Sequence, residues 1–312
     1  MRFLVAGAAG FIGSHLCDRL LEAGHEVVGV DSFVTGSAEN LADALQHGAF
    51  RLVEHDVRVP LQVDGHFDRV LNLASPASPV DFDLIPLHIL ETGSRGTQNL
   101  LDLALHKGAR FFLASTSEAY GDPEVHPQPE TYLGNVSSTG PRSCYDEAKR
   151  YAEALTMAYH RAHALDIRIA RIFNTYGERM RPDDGRVVCT FIHQALTGQV
   201  LTVFGDGTQT RSFVHVDDEV QGLLAVIEGP VVGPVNVGNP HEVTMIELAE
   251  RVLEVTGSSS RIDVRPLPAG RLGDPNRRCP DTTLLDSFSG WQPTVSLDDG
   301  LRRTADWMRT RL

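Results

Sequence analysis

Tyr145 and Lys149 stand four residues apart in SCYDEAKRYAE, a spacing that puts both on one face of a helix. A lysine ammonium beside a phenol favours the phenolate, which gives Tyr145 the character of a base near neutral pH despite an ordinary pKa of about 10. The pair alone is unspecific, because an amphipathic helix with a half-buried tyrosine and an exposed lysine has the same pattern. VAGAAGFIGSHL sets Gly7, Gly10 and Gly13 in a G-x-x-G-x-x-G arrangement between an apolar run and a helical pattern. Glycines there permit a tight turn and close approach of backbone to a pyrophosphate, which then rests on the helix N-terminus. Asp31, ending the next apolar run, stands where a carboxylate accepts hydrogen bonds from an adenosine ribose and favours NAD over NADP. The alternative is a glycine-rich turn with Asp31 capping a helix. Phe11, Ile12 and Leu73 complete the expected cofactor contacts, with Asp56 and Val57 either at the adenine or in a turn. STSEAYG, residues 115–121, brings hydroxyls and the Glu118 carboxylate to the tip of the strand-like run Phe111–Ala114. Such groups either meet a ligand or satisfy their own backbone.

These stretches meet only if strands and helices alternate. Apolar runs at 2–6, 26–30, 50–54, 69–73, 110–114 and 167–171 are separated by helical patterns near 11–23, 88–107 and 143–163. The alternation predicts an α/β, Rossmann-type, doubly wound parallel sheet, closed at about seven strands by Pro234–Val237. Ser143 is the expected N-cap of the Tyr145 helix, with Asp146 as its capping-box partner. TMIELAERVLEVTG is a further helix, with a capping box (Thr244, Glu247), a stripe through Ile246, Ala249, Val252 and Leu253, and a stop at Gly257. Segments 175–230 and 258–312 are loop-rich and predict a smaller, interleaved C-terminal substrate domain. The expected division is 1–174, with about 212–240 returning to it, against 175–211 and 241–312.

With 312 residues the chain has room for one large α/β unit and a small companion. A net charge of −13 argues against a nucleic-acid partner, whose phosphates would be repelled, but leaves room for a small anion held by clustered arginines. No apolar stretch approaches the roughly 20 residues of a membrane span. MRFLVAGAAG runs into the glycine motif and not a cleavage site, so a cytoplasmic protein without membrane or targeting segment is expected. Cys17, Cys144, Cys189 and Cys279 are widely spaced, as reduced core thiols would be, and the 13 histidines show no metal-ligand spacing, so no metal is assigned.

Together, the glycine motif, the hydroxyl after the fifth strand and Y-x-x-x-K resemble the extended short-chain dehydrogenase/reductase superfamily. NLASPASP, ASTSEAYGDPEVHPQ, GPRSCYDEAKR, ARIFNTYGERM, DGRVV, LTVFGDGTQTRSF and VNVGNP look like the UDP-glucuronate decarboxylases, or UDP-xylose synthases, nearly end to end. The resemblance implies tightly bound NAD, oxidation at C4 of UDP-glucuronate, loss of the C5 carboxylate as carbon dioxide, and return of hydride to C4. Thr116 would hold the substrate hydroxyl that Tyr145 deprotonates, with Lys149 as the third member of the set. Both hydrogen-bonding groups would then meet the enolate that departing carbon dioxide leaves on the C4 oxygen. Related nucleotide-sugar 4,6-dehydratases carry an Asp-Glu pair after the threonine. Ser117 takes the Asp position here, so the donor for a leaving hydroxyl is missing. Ser117 would instead bond the substrate carboxylate, and Glu118 would steer the C5 region or merely orient its neighbours.

By the same resemblance Asn174 lies near the sugar diphosphate, Arg186 and Val188 flank the nucleotide, Phe204 walls the uracil, Arg211 pairs with phosphate and Arg278 enters the active site. Arg271 is an extra candidate. Planar guanidinium forks suit phosphate. The connection 121–142 is long enough to serve as a lid. The helices near 88–107 and 143–163 carry apolar residues on more than one face, and the resemblance implies that they pair in a homodimer through a four-helix bundle. The family pattern has His at Asn72, tyrosines near Phe82 and Leu84, Lys at Glu91 and Asn at Gly93. These departures lead us to expect imperfect retention of the intermediate, with UDP-4-keto-pentose released beside UDP-xylose. A UDP-sugar C4 epimerase and a 4,6-dehydratase are rival enzymes. An NAD-sensing binding protein is the non-enzyme rival, though it would be expected to lose Tyr145 or Lys149.

Overall fold

The computed structural model describes residues 1–266 and 277–312. Its first part alternates as expected: β1 (Arg2–Ala6), α1 (Phe11–Glu22), β2 (Glu26–Asp31), β3 (Phe50–Glu54), β4 (Arg69–Asn72), α2 (Pro79–Leu84), α3 (Pro86–Glu91), α4 (Thr97–Lys107), β5 (Arg110–Thr116), α5 (Ser143–His163) and β6 (Ile167–Ile172). The remainder runs through β7 (Thr175–Tyr176), α6 (Val187–Leu196), β8 (Leu201–Phe204), β9 (Thr210–Ser212), β10 (Val214–His215), α7 (Val216–Glu228), β11 (Pro234–Val237), β12 (Glu242–Thr244), α8 (Met245–Thr256), β13 (Ile262–Arg265), β14 (Arg277–Arg278), α9 (Thr283–Ser289) and α10 (Leu297–Arg309).

Seven strands form one parallel sheet in the order β11-β6-β5-β4-β1-β2-β3. One face is covered by α1 and α7 through Leu16, Leu20, Val220 and Leu223, the other by α4 and α5 through Leu100, Leu101, Ala104 and Ala152. Burial on both faces is why the strands read as continuous apolar runs and not as alternations.

Two local expectations change. The helix predicted near 88–107 is α3 and α4 joined by a π turn, Thr92–Gly96. A Cβ on Gly93 would come within 2.7 Å of the Ala148 Cβ, so the glycine lets this wide turn lie directly on α5. In α5, Ser143 is the first helical residue and not the cap; Arg142 holds the cap position with no side-chain cap bond, and Asp146 is buried. The carboxyl expected to serve the helix end faces the protein interior.

The smaller unit has β8 paired with β13, and β9 flanked by β12 and β14. Its core joins α6, α8 and α10 through Val188, Phe191, Leu248 and Leu301. α8 opens with the expected Thr244–Glu247 capping box and stops at Gly257, whose φ is +66°. Met245, Leu248, Ala249 and Val252 form its buried face, while Ile246 and Leu253 flank it. α9 leaves this unit and packs with Leu285 and Trp291 in the core beside α7. The Trp291 indole donates to the Asp218 carbonyl at 3.1 Å, and the Asp218 carboxylate accepts from the Thr294 and Val295 amides. Part of the expected 241–312 segment thus lies on the large sheet. The four cysteines are buried with free thiols. No helix among the described residues is long and apolar enough to cross a membrane.

Candidate active site

The C-terminal ends of the central strands open into a cavity of about 1320 Å³, bounded on its other side by the smaller unit. Gly7, with φ +83°, turns the chain there; a Cβ would lie 2.7 Å from the Leu73 carbonyl carbon. A Cβ on Gly13 would sit 2.0 Å from the Gly7 oxygen. The chain's own packing therefore demands both glycines. Gly10 differs, since it caps α1 without a side chain and lines the cavity together with Phe11 and Ile12. The first turn of α1 carries no acidic residue, so its N–H groups, which lack intrahelical acceptors, offer an anion site. Asp31 accepts from the Ala9 amide at 2.9 Å and the Phe33 amide at 2.8 Å. Burial raises its pKa against those hydrogen bonds. Asp31, Asp56, Val57 and Leu73 border an adjoining recess. Arg58 forks onto Asp56 and reaches Glu91 at 2.8 Å. A glycine turn, a bare helix end and an acid at the second strand fit NAD, which these residues would hold.

Thr116 ends β5, and its hydroxyl caps the turn Ser117–Tyr120 by accepting from the Glu118 amide at 3.2 Å. It also neighbours the Tyr145 phenol, whose pKa it lowers. The strand-tip cluster thus satisfies its own backbone and presents a group to the cavity. Tyr145 lies flat against Phe82, with ring centroids 5.1 Å apart and planes 18° from parallel. Burial pushes its phenol up to about 12, outweighing the Thr116 hydroxyl and the Arg186 charge. Lys149 donates to the Ala114 carbonyl at 2.8 Å, with its nitrogen 5.8 Å from the Tyr145 ring centre. Burial lowers its ammonium to about 8. The pair shares a face as expected, and in the unliganded protein desolvation of the Tyr145 phenolate outweighs its favourable neighbours.

Glu118 is gripped by two arginines. Arg278 forks onto both carboxylate oxygens, with Nη2 to Oε2 at 2.9 Å, and Arg142 reaches Oε2 at 2.8 Å. Burial alone would raise the Glu118 carboxyl, yet the Arg278 and Arg142 charges bring it down to about 2. Arg278 also donates to the Gly121 carbonyl, while its Nε is buried with no partner. Asp146 Oδ2 is 4.0 Å from Arg142 Nε, and its Oδ1 is buried without a partner. Arg142 and the burial of Asp146 escaped the sequence reading. Their i, i+4 spacing around Tyr145 was the available signal, but it gives no direction.

Ser117, Asn174, Arg186, Val188, Phe204 and Arg211 line the same cavity. Arg271 lies outside the described residues. Arg186 donates to the Ala77 carbonyl at 2.6 Å, Arg181 pairs with Asp81 at 3.0 Å, and the Ser78 hydroxyl bonds the Asp184 carbonyl. These contacts tie the segment after β4 to the 179–186 loop of the smaller unit. Only the end of the expected lid, Pro141 and Arg142, reaches the cavity. The rest is anchored to the segment beside β14, as by Gln128, which donates to the Cys279 carbonyl and accepts from its amide. Of the departures expected near the sugar, Phe82 alone lines the cavity. Asn72 is buried on Thr97, Leu84 is 71% exposed, Glu91 pairs with Arg58 and Arg95, and Gly93 packs on Ala148.

Residues 3–238 match the NAD dependent epimerase/dehydratase family. The chain is 52% identical over 314 residues to UDP-glucuronic acid decarboxylase 3 of Arabidopsis thaliana, covering all of this chain and 90% of that one. It is 47% identical over 311 residues to UDP-glucuronic acid decarboxylase 1 of Danio rerio, covering all of this chain and 73% of the relative. The UDP-glucuronic acid 4-epimerase of Bacillus cereus, solved with UDP-glucuronic acid and NAD, superposes with a TM-score of 0.87 at 29% identity, each chain covered in full. Glycine turn, Thr116–Tyr145–Lys149 set and end-to-end similarity agree, and the chain belongs to the NAD dependent epimerase/dehydratase family.

Proposed function

We propose that the protein is an NAD-dependent UDP-glucuronate decarboxylase that forms UDP-xylose. The observation that carries this reading is the Glu118–Arg278–Arg142 cluster set beside Thr116 and Tyr145. Arg186, Arg211, Phe204, Val188 and Asn174 are the groups available to the UDP moiety. When bound along Gly10, Ile12, Asp31 and Leu73, NAD would supply the hydride acceptor for C4 of the sugar and, after carbon dioxide has left, the hydride that returns to C4. Tyr145 and Thr116 hold the C4 oxygen, and Tyr145 takes and later returns its proton. With a ketone at C4 the C5 carboxylate belongs to a β-keto acid. The bond to the carboxylate breaks, its electron pair passes into an enolate on the C4 oxygen, carbon dioxide leaves, and C5 takes up a proton. Having taken that proton, the Tyr145 phenol is neutral when the enolate forms and is suited to donate to it. Ser117 bonds the departing carboxylate, and Lys149 holds its place through Ala114.

Incubation of the purified protein with UDP-glucuronate is expected to release carbon dioxide and to give UDP-xylose as the main product in the proton NMR spectrum. The case for escape of the 4-keto pentose now rests on Phe82, while the Asp81–Arg181 and Arg186–Ala77 contacts hold the cavity's two sides together. UDP-galacturonate without carbon dioxide would replace the decarboxylase with a 4-epimerase acting on the same sugar.

We also propose a cytoplasmic homodimer. Leu87 is 74% exposed on α3 and Tyr151 50% exposed on α5, with Ala154 and Ala158 exposed at helical spacing from Tyr151. Pairing these faces across a two-fold axis makes a four-helix bundle of α3–α4 and α5 with their copies. Light scattering at micromolar concentration is expected to give twice the 34.1 kDa chain mass, and Leu87→Glu with Tyr151→Glu to give the monomer.

A further inference from the structure

Asp146 has no part in the mechanism above, yet it is buried in the cluster that the sugar carboxylate must join. The charged groups facing it are Glu118 from the turn after β5, Arg278 from β14, Arg142 at the start of α5, and Glu147 on α5 itself. Arg142 Nε lies 4.0 Å from Oδ2, and Oδ1 has no partner. Before substrate docks, Asp146 already shares this buried site with the Glu118 carboxylate, with Glu147 nearby and Arg142 and Arg278 opposing. A sugar carboxylate docked there adds a further anion, a costly arrangement unless a proton compensates it. Neutralising Asp146 offsets the added charge.

Resting on the decarboxylase reading, we infer that Asp146 takes up a proton when UDP-glucuronate docks, which links substrate binding to the protonation of this one carboxyl. Its carboxyl already sits at about 7, raised by burial first and by Glu118 second, with Arg142 and Arg278 opposing. A further carboxylate raises it again. Asp146 thereby acts through its charge and not by contact with reacting atoms. The proton balance of the reaction agrees, because exchanging a carboxylate for a hydrogen at C5 consumes one proton per turnover. Affinity for UDP-glucuronate falls as pH rises above about 7, by up to about tenfold per pH unit. Affinity for UDP-xylose, which has no carboxylate, does not share this slope.

Calorimetry in buffers of different ionisation enthalpy reads the proton count directly. NAD-loaded protein carrying Tyr145→Phe serves as the parent, so that turnover does not obscure binding. The expected result is net proton uptake with UDP-glucuronate near neutral pH, none with UDP-xylose, and loss of the uptake when Asp146→Asn is added. Unchanged UDP-xylose affinity in that variant reports an intact site. Equal uptake with both sugars, uptake that survives Asp146→Asn, or no uptake in the parent overturns the inference. UDP-xylose binding without any UDP-glucuronate binding removes the decarboxylase reading, and this inference with it.

Discussion

Tyr145→Phe is expected to lower the rate of carbon dioxide release from UDP-glucuronate by about 10²–10⁴, the range for loss of a general acid–base group, with UDP affinity nearly unchanged. The substitution removes only the phenolic oxygen. The ring stays stacked on Phe82, and the arginines assigned to the nucleotide are untouched. A fall confined to kcat therefore reports lost stabilisation at the C4 oxygen and not a displaced substrate. Steady-state kinetics with a separate UDP titration checks both halves, and an unchanged kcat would remove Tyr145 from the chemistry.

The seven sheet strands were legible because burial on both faces writes a strand as an uninterrupted apolar run, and β1, β3, β11 and the whole of α5 lie where those runs and periods placed them. The π turn was not legible. Gly93 and Gly96 look like ordinary weak points in a helix until Ala148 is brought against Gly93. Asp146 misled for a related reason: local spacing made it the capping-box partner of Ser143, while the tertiary fold turned it toward Arg142. The site divides the same way. Gly10, Asp31, Thr116, Tyr145 and Lys149 belong to short motifs whose spacing carries their geometry. Arg278 and Glu118 are 160 positions apart, so their ion pair follows only from knowing that β14 lies alongside β9. Phe82 read as a loosening departure, yet it forms a wall for the reactive tyrosine.

Arg278→Met is expected to lower kcat/KM for UDP-glucuronate by about 10²–10³, in keeping with loss of a buried charge-assisted contact, and to destabilise the protein by about 3–5 kcal/mol, because Glu118 loses its forked partner. Arg142 still reaches Glu118 at 2.8 Å, which places the stability loss toward the lower figure. The sign with pH follows from the depressed Glu118 carboxyl, brought from 4.5 to about 2 by the two arginines. Its stabilisation is present above 4.5 and fades as pH falls toward 2. Parent and variant should accordingly differ most at neutral pH and converge in acid, as thermal melts across that range will show. Adding Glu118→Gln to Arg278→Met separates structure from chemistry, since removing both partners of a buried pair is far less destabilising than removing one. The double variant is expected to regain most of the lost melting temperature while kcat/KM stays low. Recovery of both would make the Glu118–Arg278 pair a strut between β14 and the strand tip, and would leave the sugar carboxylate to Arg142 and Ser117.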